Sequence, residues 1–171
     1  TICYNFMPIL DWTRTDLRAK QPHGGAAMRF DLIDFAVFDL HILQREEGVE
    51  SYSEAQRAAA AERFNALSDH RKKQLQRNII AGLPGANDSW SLGDVRALLD
   101  SYKGITPAQL RSHLIDFLSE VAPCAEALGL RLCCHPDDPP FSLLGLPRVM
   151  SSCADYSLVL NAVDLPANGA T

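Results

Sequence analysis

The sequence predicts an α/β fold built on a parallel sheet, and three observations predict it. Strand-like runs at residues 1–7 and 130–135 are separated by a long helical stretch, and strands joined in that way pair in parallel. Helix starts with explicit capping chemistry stand at Ser53, Ser68, Thr106 and Ser152, where a side-chain oxygen takes an otherwise orphaned amide. The second strand opens into a proline-stiffened polar loop, Pro136-Asp137-Asp138-Pro139-Pro140, and strand-end loops of this kind carry the sites of α/β barrels.

Residues 1–7 are apolar and β-prone, and Pro8 closes the run. Residues 9–17 form a polar segment with an embedded aromatic, and Gln21-Pro22-His23-Gly24-Gly25 is a turn by its Pro and Gly content. A helix is expected over 28–43, where Phe30, Ile33, Val37 and Leu40 recur at helical spacing. Phe35, Phe38 and Ile42 add apolar surface off that stripe. Such a helix is buried on more than one side, against its own domain or a second subunit.

Ser53-Glu54-Ala55-Gln56 fits a capping box ahead of a helix to Leu67. Ser68 caps another to about Ala81, closed by Gly82 and Pro84. Ser91-Leu92-Gly93-Asp94 starts a shorter one. Thr106-Pro107-Ala108-Gln109 combines an N-cap, Pro at the first helical position and Gln at the third, opening a helix to Leu128 that Gly129 stops. Pro123 lies inside it and predicts a kink or an early end near Ala122. Ser152-Cys153-Ala154-Asp155 caps a last helix to about Val163, and Ala167-Asn168-Gly169-Ala170-Thr171 is a turn.

Two strands cannot close a sheet and would leave bare edges, so further strands are expected outside this sequence. The first residue is Thr1 rather than Met, and the run it opens already has strand character. An internal piece of a longer chain is expected.

A chain that is 47% hydrophobic and 22% charged is globular rather than disordered. Its formal net charge is -5 without a basic stripe, which gives a nucleic-acid role no electrostatic support. The cysteine count of 5 is odd and no Cys-x-x-Cys occurs, so reduced thiols and a cytoplasmic location are expected. No apolar run reaches the length of a membrane span, and no membrane partner is expected.

Chemistry concentrates around His135, the last residue of the second strand, with Asp137 and Asp138 following. Imidazole is a common metal ligand, and carboxylates can ligate or orient it. The plainer reading is a buried strand-end histidine with two loop-capping aspartates. Cys133 shares a strand face with His135 and reads as packing, with Cys134 on the opposite layer. Asn5, near the end of the first strand, can hydrogen-bond a hydroxyl or serve as a turn residue. Arg14 offers a bidentate fork for a carboxylate, and Trp12 can stack on a sugar face. The alternative is a surface arginine lying on a tryptophan. Arg148 is a second anion partner or an ordinary salt-bridge residue. His23, His41, His70 and His113 read as structural, and Arg71, Lys72 and Lys73 as a solvated face.

These strings are recognisable. Cys3-Tyr4-Asn5-Phe6-Met7-Pro8 with Asp11-Trp12-Thr13-Arg14-Thr15-Asp16-Leu17 resembles the early-strand signature of mannonate dehydratases. Arg77-Asn78-Ile79-Ile80-Ala81-Gly82-Leu83-Pro84-Gly85 resembles that family's insert. His135 to Pro140, with Leu144-Gly145-Leu146-Pro147-Arg148, is similar to its metal-site loop. The resemblance implies a partial xylose-isomerase-like (β/α)₈ TIM barrel. In it, residues of about 1–19 give a strand and active-site loop, about 20–105 a helical insert, and about 106–171 a helix, the metal-loop strand and a helix.

The resemblance also implies dehydration of D-mannonate to 2-dehydro-3-deoxy-D-gluconate in hexuronate catabolism, with Mn²⁺ or Fe²⁺. It puts His135 on a metal-ligand position; Asn5, Trp12, Arg14, Asp137 and Arg148, from the residue chemistry above, are the expected substrate contacts. A homodimer is compatible with it. The family's later Cys-Thr-Gly and His-Leu-Arg motifs are not in this sequence. Its acid and base fall beyond the chain, so no catalytic residue is assigned and the isolated chain is expected to be inactive. Two other readings stand beside this one: another metal-dependent enzyme of the same barrel superfamily, and a non-catalytic fragment.

Overall fold

The computed structural model describes residues 1–10, 12–82 and 90–171. Asp11 of the early string and the expected helix stop at Pro84 lie outside the described residues. In chain order the elements are β1 (Ile2–Tyr4), β2 (Asp16–Lys20), β3 (Ala26–Arg29), α1 (Leu32–Val37), α2 (Glu54–Ala66), α3 (Asp69–Ile80), α4 (Leu92–Ser101), α5 (Pro107–Ala127), β4 (Leu132–Cys134), α6 (Cys153–Ala162) and β5 (Asn168–Ala170). A π-helical turn, Phe38–Leu43, and a 3₁₀ turn, Glu46–Ser51, separate α1 from α2. The chain forms two compact units, one of Thr1–Asp11 with Tyr102–Thr171 and one of Trp12–Ser101.

In the first unit β1, β4 and β5 make a parallel sheet in the order β1-β4-β5. Parallel pairing is what helix-separated strands predict. The third strand corrects the expectation of a turn at 168–170. Asn168 and Gly169 are turn-forming by composition, but pairing with the free edge of β4 overrides that local preference. The ladder runs one residue past the strands: the His135 amide donates to the Tyr4 carbonyl at 2.8 Å, and the Thr171 amide to the Cys134 carbonyl at 3.1 Å.

One sheet face is covered by α5 and α6. Both helices start with complete capping boxes, Thr106 with Gln109 and Ser152 with Asp155. Leu110, Leu114, Leu118 and Ala122, four residues apart along α5, are buried against Cys134, Val149, Met150, Val159 and Val163. Each fully buried leucine contributes about 1.5–3 kcal/mol. The helix passes Pro123 and ends at Ala127, not near Ala122. Buried Ala122 and Ala125, on either side of the proline, keep the last turns docked. Arg111 and Asp155, paired at 2.7 Å, tie α5 to α6.

The second unit corrects the expected helix over 28–43. Met28 belongs to β3 and is 56% exposed, and the helix begins only at Leu32. Asp31 is the N-cap, its carboxylate accepting from the amides of Ile33 and Asp34. β2 and β3 form an antiparallel hairpin around the predicted turn. Phe35, Phe38 and Leu43 are buried within the unit, where α1 packs on α2 and the π-helical turn on α3. The apolar circumference of this helix is therefore met by its own domain.

A buried clasp holds the π-helical turn. Asp39, fully buried, takes a bidentate pair from Arg45 at 2.9 and 2.7 Å and a bond from the Tyr52 hydroxyl at 3.0 Å. Removing one member of such a pair costs about 3–5 kcal/mol, because the other charge stays buried. His41 stacks on Phe64 at 5.0 Å, which agrees with a structural role.

Candidate functional site

The sheet of the first unit has two chemically different faces. Side chains alternate along a strand. Cys134 points into the core beneath α5, so Cys133 and His135 point to the opposite face, which α5 and α6 do not cover. Cys3 sits beside Cys133 in register. Asn5 follows β1 by one residue, as His135 follows β4. The structure thus brings Asn5 and His135 together at the C-terminal ends of neighbouring parallel strands, where α/β folds place their chemistry.

The His135 ring is held by its own loop. Its Nδ1 lies 2.8 Å from the Pro136 carbonyl oxygen. A carbonyl only accepts, so this contact calls for a proton on Nδ1, which in the neutral ring leaves Nε2 as the nitrogen with the lone pair. A metal-ligating histidine has this arrangement, donating from one ring nitrogen and coordinating through the other. Among the described residues, no three of His, Cys, Asp and Glu gather into a group able to hold a metal. The described residues therefore hold no complete metal site of their own.

Asp137 follows in the same loop. It is 3% exposed, and its Oδ2 accepts from the Met150 amide and from the Ser151 hydroxyl, each at 2.8 Å. Sequence reasoning missed Ser151, because the capping box drew attention to Ser152 one residue on. Arg148 is also buried, and its Nη1 donates to the Leu10 carbonyl at 3.0 Å, joining the loop after β4 to the loop after β1.

Both loops hold non-glycine residues at positive φ, Ile9 at 61° and Leu144 at 53°. Left-handed backbone is disfavoured for such residues, most of all for a β-branched one, and concentrates at functional loops. The Asp138–Pro139 peptide is cis.

On the covered face, burial pushes the Cys134 thiol up to about 11, with the Asp137 charge adding to the effect. Burial also raises the phenol of Tyr4, which lies against that thiol. Both groups stay protonated at neutral pH and act as packing, not as nucleophiles.

Trp12 and Arg14 belong to the second unit. Trp12 is 48% exposed with φ 51°, so its indole is held out in a left-handed backbone conformation. Arg14 is half-buried, and its Nη1 donates to the Thr13 carbonyl at 3.0 Å. Thr13 and Thr15 beside it are buried, and Thr15 accepts from the Asp31 amide while donating to the Arg29 carbonyl.

Known proteins match this chain along its whole length. The family model described as D-mannonate dehydratase (UxuA) matches residues 1–171. A mannonate dehydratase of Rhizobium meliloti (strain 1021) is 54% identical over all 171 residues, which span 42% of that relative. Mannonate dehydratase 1 of Agrobacterium fabrum is 53% identical over the same length, again 42% of the relative. The chain thus covers less than half of the curated relatives it matches. The crystal structure of mannonate dehydratase from Streptococcus suis serotype 2 aligns with a TM-score of 0.59 and 25% identity, over 99% of this chain and 34% of that one. With every residue matched by one family model, this chain belongs to the D-mannonate dehydratase (UxuA) family.

Proposed function

We propose that this chain supplies the His135 strand end of a metal-dependent D-mannonate dehydratase, a hydro-lyase of hexuronate catabolism. One observation carries the reading: the family match runs through His135, whose Nδ1 faces a backbone carbonyl at 2.8 Å, an arrangement common in metal-ligating histidines. In this proposal the parallel sheet is part of a xylose-isomerase-like (β/α)₈ barrel, and residues of about 20–105 are a helical insert in its sequence. Five free cysteines support a reducing, cytoplasmic setting. Leu17 and Met28, exposed on the hairpin, offer apolar surface for a homodimer, which sedimentation of the full-length protein would check.

Dehydration breaks the C2–H and C3–O bonds of the sugar acid. A base takes the C2 proton, an acid protonates the departing C3 hydroxyl, water leaves, and the enol tautomerises to the 2-keto acid. When bound, Mn²⁺ or Fe²⁺ supplies Lewis acidity toward the substrate's oxygens. His135 would hold that ion through Nε2. Asn5 would hydrogen-bond a sugar hydroxyl. Arg14 offers a planar fork suited to a carboxylate, and Trp12 an indole suited to a sugar face.

The test compares substrates. Full-length protein with Mn²⁺ is expected to release 2-dehydro-3-deoxy-D-gluconate from D-mannonate and to leave aldoses unchanged. Isomerisation of an aldose without attack on mannonate would favour another enzyme of the barrel superfamily. A second expectation concerns Arg14→Lys, which keeps the charge but loses the bidentate geometry. It should lower kcat/KM for mannonate about tenfold or more, since a charged hydrogen-bonded contact is worth about 1.5–3 kcal/mol. An unchanged kcat/KM would remove Arg14 from substrate binding.

A further inference from the structure

We infer that Asp137 is a positioning residue: it holds the peptide plane that orients His135, and it touches neither metal nor sugar acid. The inference rests on the dehydratase reading for its link to turnover, but its geometry is complete within one loop. The Pro136 carbonyl that accepts from His135 Nδ1 belongs to the same planar peptide group as the Asp137 amide. That amide donates to the Met150 carbonyl at 3.1 Å. The Met150 amide donates back to Asp137 Oδ2 at 2.8 Å, and the Ser151 hydroxyl does the same. One residue therefore makes three bonds to the far end of its own loop, 13 or 14 residues away.

The direction of the carboxylate fits this role. Met150 lies in the core cluster with Cys134 and the buried face of α5. Asp137, bonded to Met150 through both backbone and side chain, is anchored on that covered side. His135 sits on the opposite face. The acid thus acts through the peptide plane: rotation of the Pro136–Asp137 unit would withdraw the acceptor from Nδ1 and let the ring change tautomer. Partners that fix a ligand's tautomer typically change metal affinity or activity 10–100-fold when removed.

The experiment uses full-length protein carrying Asp137→Asn or Asp137→Ala, with ¹⁵N-histidine labelling and Mn²⁺ titration. Asparagine keeps an oxygen acceptor for Met150 and Ser151, whereas alanine removes it. In metal-free wild type and Asp137→Asn, His135 should show the Nδ1–H tautomer, and Mn²⁺ affinities should agree within about threefold. Asp137→Ala should show mixed tautomers and an affinity about 10–100-fold weaker, with KM for mannonate unchanged at saturating Mn²⁺.

Asp137→Asn as damaging to Mn²⁺ affinity as Asp137→Ala would make the carboxylate a direct ligand and overturn the inference. A raised KM in both variants would make it a substrate contact, with the same consequence. An unchanged His135 tautomer in a folded Asp137→Ala protein would also overturn it. Should Asp137→Ala not fold, Asp137→Asn and Ser151→Ala decide by the same readings. Failure of wild type to dehydrate mannonate would count against the dehydratase reading, while the tautomer measurement would still decide the role of Asp137.

Discussion

His135→Ala, made in the full-length protein, is expected to lower kcat for D-mannonate by roughly a thousandfold or more. A metal acting as Lewis acid is worth several kcal/mol of transition-state stabilisation, and each 1.36 kcal/mol is tenfold in rate. The imidazole stands at the end of β4, on the face away from the α5 core, with its Nδ1 proton committed to the Pro136 carbonyl. Alanine removes the Nε2 lone pair and leaves the strand intact, because the ladder bond from residue 135 to Tyr4 is made by the backbone. Thermal stability should therefore change little while tightly bound Mn²⁺ is lost. Parallel measurement of melting temperature, metal content and kcat checks this. Retained metal with a normal kcat would take His135 out of the site.

Local chemistry was legible in the sequence. The caps at Ser53, Ser68, Thr106 and Ser152 were readable because they involve residues within one helical turn. The turn at Gln21–Gly25 was readable from glycine, and Gly24 does adopt φ 87°. Elements fixed by distant partners were not. Asp16–Lys20 alternates only through Leu17 and Ala19, and Ala26–Arg29 does not alternate at all; the hairpin is secured by Thr15 bonding to Arg29 and Asp31 and by Asn78 donating to the Thr15 carbonyl from α3. Asn168–Ala170 is a strand only because β4 offers an edge.

The same division applies to the candidate site. A histidine closing a strand ahead of a proline-stiffened acidic loop marks a strand-end site from sequence alone. Its tautomer depends on the orientation of one peptide group, which depends on Met150 thirteen residues later. Asp137 and Asp138 are adjacent carboxylates in the sequence. Only the structure shows Asp137 buried and bonded on the core side.

The proposed site needs several protein ligands in fixed geometry, together with an acid and a base. This chain contributes His135, and its described residues bring no three metal-binding side chains together. Metal dependence and dependence on the rest of the protein are therefore the central claims. One measurement addresses both. Full-length protein and the 171-residue chain are stripped with a chelator, then assayed side by side for 2-dehydro-3-deoxy-D-gluconate from D-mannonate, with and without added Mn²⁺ or Fe²⁺. The predicted result is product from the full-length protein only after metal is restored, and none from the 171-residue chain under any condition. Turnover by the stripped full-length protein without metal, or metal-dependent turnover by the 171-residue chain near the full-length rate, would contradict the account.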